Sequence, residues 1–251
     1  LSSEKPFLLF PSDFTNGEKS IEINGLVWMG EESFMKQQIE EKLADGFRCV
    51  KLKIGAIDFE KELQLLGFIR EHFTPEQVEI RVDANGAFDA TVALDKLNQL
   101  AEFKLHSIEK KKKKNNTDRM SELCKITPIS IALDEELIGV FSLEEKEQLL
   151  QKIKPQYIIL KPSFVGGFRG TKEWISLAEK YNIGWWITSA LESNIGLNAI
   201  AQWTFLQQNS MPQGLGTGAL YTNNFDCPLQ VSQGRLWYNK ELDWKINNNV
   251  F

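Results

Sequence analysis

The sequence predicts an α/β protein whose parallel strands close into a TIM-type barrel, and three observations predict it. Short β-branched and apolar runs alternate with helical patterns along most of the 251 residues, the mark of a parallel sheet wrapped by helices. About eight such runs in a chain of this length fit one closed (β/α)8-type barrel. No G-x-G-x-x-G follows a first strand, which counts against a doubly wound sheet.

Residues 1–20 hold Pro, Gly, Ser, Asp and Asn in quantity and read as an irregular connector. The first strand is expected over Ile21–Met29, with Asn24-Gly25 as a bulge. Met35, Ile39 and Leu43 recur at helical spacing, and Gly46 closes that helix. Phe47–Ile54 is the second strand. Asp58 caps a helix through Phe73, with Leu63, Leu66 and Ile69 on one face. Val78–Asp83 is the third strand, Asp89–Phe103 a helix, and Leu105–Glu109 the fourth strand. A shorter helix, Asp118–Lys125, leads to the fifth strand at Ile129–Asp134. Ser142 with Glu144 and Glu145 opens a helix that stops before Pro155, and Tyr157–Lys161 is the sixth strand. Thr171–Tyr181 is helical, Gly184–Thr188 the seventh strand, Ile195–Gln207 helical, and Met211–Leu215 supplies the eighth strand. The barrel thus spans 21–220, and from Tyr221 the pattern decays into a polar tail, 221–251.

Strand ends are where a barrel of this kind keeps its chemistry. Asp83, Glu109 and Asp134 each close a strand, spaced by 26 and 25 residues. Lys53, with Lys51 two residues before it, closes the strand preceding them, and Lys161 the strand following them. One such residue would be a turn former or a helix cap; five on successive strands would face a common pocket. Three carboxylates meeting there repel one another unless a cation offsets them. Oxygen ligands suit a hard cation, Mg2+ or Mn2+. Such an ion would take a substrate carboxylate and absorb charge as an α-proton leaves. A lysine beside it would serve as the base.

Composition narrows the classes further. A net charge of −5 counts against nucleic acid as a partner. No run of about 18 apolar residues is present, so no membrane span is expected. Cys49, Cys124 and Cys227 form neither a close-spaced metal pair nor an even disulfide set, and read as reduced thiols of a cytoplasmic protein. With His72 and His106 the only histidines, a zinc site of imidazoles is not expected. Trp185, Trp186 and Trp203 read as packing rather than as substrate stacking. The sequence assigns no oligomeric state.

Several stretches carry a resemblance: Lys51-Leu52-Lys53, Val82-Asp83-Ala84-Asn85-Gly86, Ile108-Glu109, Leu133-Asp134-Glu135-Glu136 and Leu160-Lys161-Pro162. Longer ones agree in order and spacing: Ile131–Gly139, Pro155–Pro162, Trp185–Trp203 and Met211–Gly218. Together, over about Phe7 to Trp237, they resemble the enolase superfamily in its muconate-lactonizing subgroup, and within it the dehydratases that form 2-succinylbenzoate for menaquinone synthesis. The resemblance implies a TIM-type (β/α)7β barrel that would remove water, in the syn sense, from 2-succinyl-6-hydroxy-2,4-cyclohexadiene-1-carboxylate, a small-molecule carboxylate. It implies Mg2+ on Asp83, Glu109 and Asp134, with Mn2+ as its substitute. Lys53 would take the proton α to the ring carboxylate and then protonate the departing hydroxyl, while Lys161 steadies the enediolate from the other side. Lys51, Asn85 and Glu135 would support the site. Ser189, Glu192, Ser193, Gly216, Thr217 and Gly218 would hold the succinyl part.

Two departures from the family pattern stand out. Its N-terminal α+β capping domain is largely absent from this chain. After Ile108-Glu109 the family has Gln-Pro and a mixed loop, where Lys110 to Lys114 run here; a charge run of that kind reads as a solvated loop. Two other functions stay open. The same lysine pair would serve an N-succinylamino acid racemase or dipeptide epimerase, and a barrel of this kind could also act as a non-catalytic binding or scaffold protein.

Overall fold

The computed structural model describes residues 7–84, 93–109 and 117–245. Asn85, Gly86 and Lys110–Lys114 lie outside them.

Strand and helix alternate as expected: β1 (Ile21–Glu22), β2 (Gly25–Val27), α1 (Glu32–Ala44), β3 (Cys49–Lys53), α2 (Phe59–His72), β4 (Glu79–Asp83), α3 (Ala93–Ala101), β5 (Ser107–Glu109), α4 (Thr117–Ile126), β6 (Ile131–Leu133), α5 (Leu143–Ile153), β7 (Tyr157–Leu160), α6 (Gly167–Lys180), β8 (Gly184–Ile187) and α7 (Asn194–Leu206). β2 to β8 form one sheet in chain order, every neighbouring pair parallel. Each strand neighbours the next, as right-handed crossovers through a helix allow.

Local chemistry sets the helix ends. The Asp58 carboxylate accepts from Glu60 N–H at 3.0 Å and starts α2. Ser142 Oγ accepts from Glu145 N–H at 3.2 Å and donates to Glu145 Oε2 at 2.7 Å, a reciprocal cap on α5. α6 begins at Gly167, four residues before the expected Thr171, because Gly166 and Gly167 reverse the chain at φ +96° and +69°.

The eighth stave differs from expectation. Met211–Leu215 forms no strand; two isolated parallel bridges, Ile23↔Gln213 and Thr188↔Gly214, close the barrel instead. The chain is nevertheless stitched on both sides. Gln213 N–H donates to Glu22 O at 2.8 Å and Asn24 N–H to Gln213 O at 3.0 Å; Gly214 N–H donates to Ile187 O at 2.8 Å and Ser189 N–H to Gly214 O at 3.0 Å. Arg81, fully buried in the lumen, reinforces the seam from β4. Its Nη1 donates to Pro212 O at 2.9 Å, its Nε pairs with Glu79 Oε1 at 2.7 Å, and its guanidinium lies 4.0 Å from the Trp186 ring centre.

Two further expectations are corrected. The run 21–29 splits at Asn24: β1 leaves the barrel, and only β2 enters it. The polar tail expected from Tyr221 contains an antiparallel hairpin, β9 (Leu229–Ser232) and β10 (Arg235–Tyr238), which β1 joins as a third strand. Its turn residues Gln233 and Gly234 both have positive φ, 51° and 67°, which suits the right-handed twist of the flanking strands. The connector is irregular, as expected, but docked. Leu9 and Phe10 N–H both donate to Gln202 Oε1 at 2.9 Å, and Phe14 stacks on Phe205 of α7 with ring centres 5.7 Å apart.

The main core lies between sheet and helices, with Leu52, Ile54, Leu66, Ile69, Ile80 and Val82 among its fully or nearly fully buried members. Each such side chain contributes roughly 1.5–3 kcal/mol. A separate layer fills the lumen: Ala132, Ile159 and Trp186, with Tyr157 and Met211 against them. Trp185 and Trp203 are buried in the outer core, so all three tryptophans pack as expected. The lumen layer is the floor on which the charged side chains sit.

Candidate functional site

Strand register assembles the site. Lys53 pairs with Asp83 across β3 and β4, and Asp83 with Glu109 across β4 and β5. The three therefore stand abreast on the same face, because side chains alternate along a strand. Glu109 pairs with Ala132, so Asp134, two residues further, shares that inward face one step higher. Lys161 follows β7 directly. Each step up the wall reflects the stagger that closes a tilted barrel.

All three carboxylates are buried, and each is matched to a lysine. Lys53 Nζ lies 3.0 Å from Asp83 Oδ2, and Lys51 Nζ lies 2.6 Å from Glu109 Oε2 and 3.5 Å from Asp83 Oδ2. Lys161 donates to Asp134 Oδ2. Three lysines thus stand against the three carboxylates whose mutual repulsion a cation was expected to relieve. Lys53 and Lys161 side chains are each 18% exposed, so both remain reachable from the mouth.

Burial pushes the Glu109 carboxyl up to about 7, with the Lys51 ammonium opposing and the Asp83 and Asp134 charges adding to it. Burial also raises Asp134, against the pull of Lys161 and with Glu135 adding repulsion. Burial alone would lower Lys51, but Glu109 and Asp83 outweigh it and hold the ammonium above its ordinary value.

The donor set suits a hard divalent ion. It is all oxygen, and Glu109 Oε1 and Asp134 Oδ1 are buried without a hydrogen-bond partner, a demand that a cation would meet. Among the described residues no three His, Cys, Asp or Glu side chains converge as a ready ligand cluster, and each of these carboxylates meets a lysine.

Two loops expected at the substrate side lie beside each other. Thr217 Oγ1 donates to Ser189 Oγ at 2.8 Å, joining the end of β8 to the segment after the eighth stave. Glu192 turns inward on its own loop. Its Oε2 accepts from Ser189 Oγ and Ala190 N–H, both at 2.8 Å, and its Oε1 accepts from Ser163 Oγ. Ser193 is the N-cap residue of α7 and Gly218 opens a short 3-10 turn, Gly218–Leu220. A Cβ at Gly218 would stand 2.6 Å from Asn194 Oδ1, so that turn packs tightly on α7. Gly216 is backed by Ile23 of the barrel wall. Glu135 lies in the single 3-10 turn Glu135–Leu137 just after Asp134.

Two contributors were not singled out from sequence. The Trp28 ring, just past β2, lies 5.6 Å from Lys53 Nζ, and an aromatic residue ending a strand was the available signal. Glu62 of α2 is buried and accepts from Gly55 N–H at 2.5 Å, pinning the loop that follows Lys53. Nothing local distinguishes it from the other acidic residues of that helix.

Comparison with known proteins agrees with this geometry. Residues 35–241 match the family described as enolase C-terminal domain-like. The chain is 59% identical over 227 residues to the o-succinylbenzoate synthase of Desulfotalea psychrophila, covering 90% of this chain and 61% of that one. It is 24% identical to the L-Ala-D/L-Glu epimerase of Bacillus subtilis over 78% of this chain and 50% of that one. The crystal structure of MenC from D. psychrophila superposes with a TM-score of 0.85 at 56% identity, covering 92% of this chain and 64% of that one. The chain thus spans less than two thirds of the length of each of these relatives. A family match over most of the chain, joined to a parallel barrel with lysines and carboxylates abreast at its strand ends, shows that the chain belongs to the enolase C-terminal domain-like family.

Proposed function

We propose that this chain is the barrel of an o-succinylbenzoate synthase. It would dehydrate 2-succinyl-6-hydroxy-2,4-cyclohexadiene-1-carboxylate to 2-succinylbenzoate, a step of menaquinone biosynthesis, in the cytoplasm. The observation that carries the reading is the row Lys53–Asp83–Glu109–Asp134–Lys161, with an amine at each end of three buried carboxylates. The product comes from the name of the relative that is 59% identical, and the cyclohexadiene substrate from the family resemblance. Residues 21–220 are proposed as the catalytic barrel, with 1–20 as connector and 221–251 as a C-terminal segment.

Asp83, Glu109 and Asp134 would hold Mg2+, or Mn2+ in its place. When bound, that ion supplies Lewis-acid stabilisation of negative charge on the substrate carboxylate. Lys53 takes the proton α to the ring carboxylate, then returns a proton to the hydroxyl leaving from the same face. Asp83, 3.0 Å from its Nζ, orients the amine toward the ring. Lys161, on the opposite side, stabilises the enediolate by its positive charge. Lys51 keeps Glu109 and Asp83 together, and Asn85 and Glu135 support the acidic groups. Ser193 and the backbone of Gly216, Thr217 and Gly218 receive the succinyl part, and Ser189, whose hydroxyl and N–H donate to Glu192 and Gly214, shapes that end of the pocket. Lys53 serves as base only as the free amine; with Lys51 and Lys161 charged, the three carboxylates and a divalent ion would leave the pocket net positive toward the substrate's carboxylates.

The test is loss of the substrate's diene absorbance with the complete protein and Mg2+. Product formation that stops on chelation is expected; no absorbance loss with the ion present would refute the reading. An epimerase reading keeps a specific footing, because paired lysines on opposite sides also suit transfer of one proton from face to face. Solvent deuterium entering the α-position of an N-succinylamino acid or a dipeptide, without dehydration of the cyclohexadiene, would favour it.

A further inference from the structure

Two mouth loops are joined by one side chain. Ser163 lies two residues beyond Lys161, inside a tight turn in which Phe164 and Val165 N–H donate to Lys161 O at 2.8 and 3.1 Å. Its hydroxyl donates to Glu192 Oε1, across 29 residues of sequence. The other carboxylate oxygen of Glu192 holds the loop after β8, through Ser189 Oγ and Ala190 N–H. Leu191, between them, sits at φ +67°, a left-handed conformation that a branched side chain resists. Its N–H is tied to Ser189 Oγ at 2.9 Å, and that same oxygen accepts from Thr217. The chain Ser163–Glu192–Ser189–Thr217 therefore links the ends of three consecutive staves.

We propose that Glu192 is a positioning residue, a clamp that fixes the turn carrying Lys161 against the loop after β8, rather than a ligand of the substrate. Both of its oxygens are committed to the protein, and the strained backbone at Leu191 is what such a clamp would hold. The proposal rests on the reading of Lys161 as a lysine of the reaction site. A carboxylate bridging two loops preorganises both, and an amine displaced by a fraction of an ångström loses much of its effect on the transition state.

The test uses the complete protein with Glu192→Ala, Glu192→Gln, Ser163→Ala and the double alanine variant. A glutamine can keep the clamp: its amide oxygen still accepts from Ala190 and Ser189, and its NH2 group donates to Ser163. Glu192→Ala is expected to lower kcat about tenfold with KM within about twofold, and Glu192→Gln to restore most of the rate. Ser163→Ala, which removes one exposed hydroxyl and leaves the fold intact, should lower kcat several-fold and add nothing to Glu192→Ala. Amide exchange supplies the second readout: Phe164 and Val165 should exchange faster in Glu192→Ala, together with Ala190 and Leu191. A glutamine variant as impaired as the alanine variant would overturn the proposal, since the negative charge would then be what matters. So would a large rise in KM, or unchanged exchange at Phe164 and Val165. If the wild-type protein dehydrates no cyclohexadiene, the functional reading fails, and the exchange measurement still decides whether the clamp exists.

Discussion

Replacing Gly214 by alanine tests whether the barrel closes as described. A Cβ there would stand 2.1 Å from Thr188 Oγ1, 2.7 Å from Thr188 Cβ and 3.2 Å from Thr188 Cα. The first contact is well inside any tolerated separation, and the β-branched threonine has little freedom to rotate away. The seam must widen, and it is held by few bonds: Gly214 N–H to Ile187 O at 2.8 Å, Ser189 N–H to Gly214 O at 3.0 Å, and Thr188 Oγ1 to Gly214 O at 3.1 Å. Overpacking costs about 1–3 kcal/mol, and each weakened bond adds roughly 0.5–1.5 kcal/mol. Gly214→Ala should therefore destabilise the protein by about 2–4 kcal/mol, read as a lower urea midpoint at constant slope. Gly216→Ala is the control across the seam. Its new carbon would meet the flexible tip of Ile23 at 3.2 Å and Asn24 O at an ordinary 3.8 Å, and should cost less than about 1 kcal/mol. Adding Thr188→Gly to Gly214→Ala removes the two nearest clashing atoms and should recover part of the loss. A Gly214→Ala protein within about 0.5 kcal/mol of wild type, or strict additivity in the double variant, would show that the chain does not close at Gly214.

Lys53→Ala should lower turnover by at least about 10²–10⁴-fold with the circular dichroism unchanged; near-normal turnover would remove it as the base. Asp83→Asn leaves Lys53 and Lys51 without a carboxylate they now share, and should weaken Mg2+ binding at least tenfold by calorimetric titration; unchanged affinity would remove Asp83 from the ligand set. Burial raises the thiols of Cys49 and Cys227 and takes Cys124 up to about 12, so all three stay protonated through neutral and mildly alkaline pH. A disulfide reagent at pH 8 should accordingly react slowly with the native protein, and first at half-buried Cys227; rapid modification of Cys124 without unfolding would contradict its packing.

What could be read from the sequence and what could not divide along one physical line. A strand carries its own signature, and a strand end fixes where a side chain points, so Lys53, Asp83 and Glu109 could be placed together before any coordinates. Register then put them abreast without further information. Helix caps at Asp58 and Ser142 were legible for the same reason, since donor and acceptor lie within three residues. Tertiary partnerships leave no such mark. Nothing within 29 residues announces that Ser163 meets Glu192, and an acidic residue at a loop looks the same whether it binds a ligand or another loop. The eighth stave, expected as a strand over Met211–Leu215, turns on a side chain instead. Gln213 spends its side chain on Ile187 N–H and Met211 O, and two bridges replace a ladder. Between Tyr221 and Asn239 the alternation Leu229, Val231, then Leu236, Tyr238 is present, but Val231 is exposed and the hairpin buries chiefly Leu236, so its apolar signal is thin. Charge pairing shows the same limit most plainly. Acids at strand ends predict a cation among them; that each acid also meets a lysine follows only from ammonium positions in three dimensions. A divalent ion would find Glu109 Oε1 and Asp134 Oδ1 unpartnered but would be repelled by the ammonium groups on the same carboxylates, so its affinity should rise when Lys51 is replaced by methionine. Tighter Mg2+ binding by Lys51→Met, together with impaired turnover, is the expected titration result. Weaker binding would mean that Lys51 holds the carboxylates in place for the ion instead of repelling it.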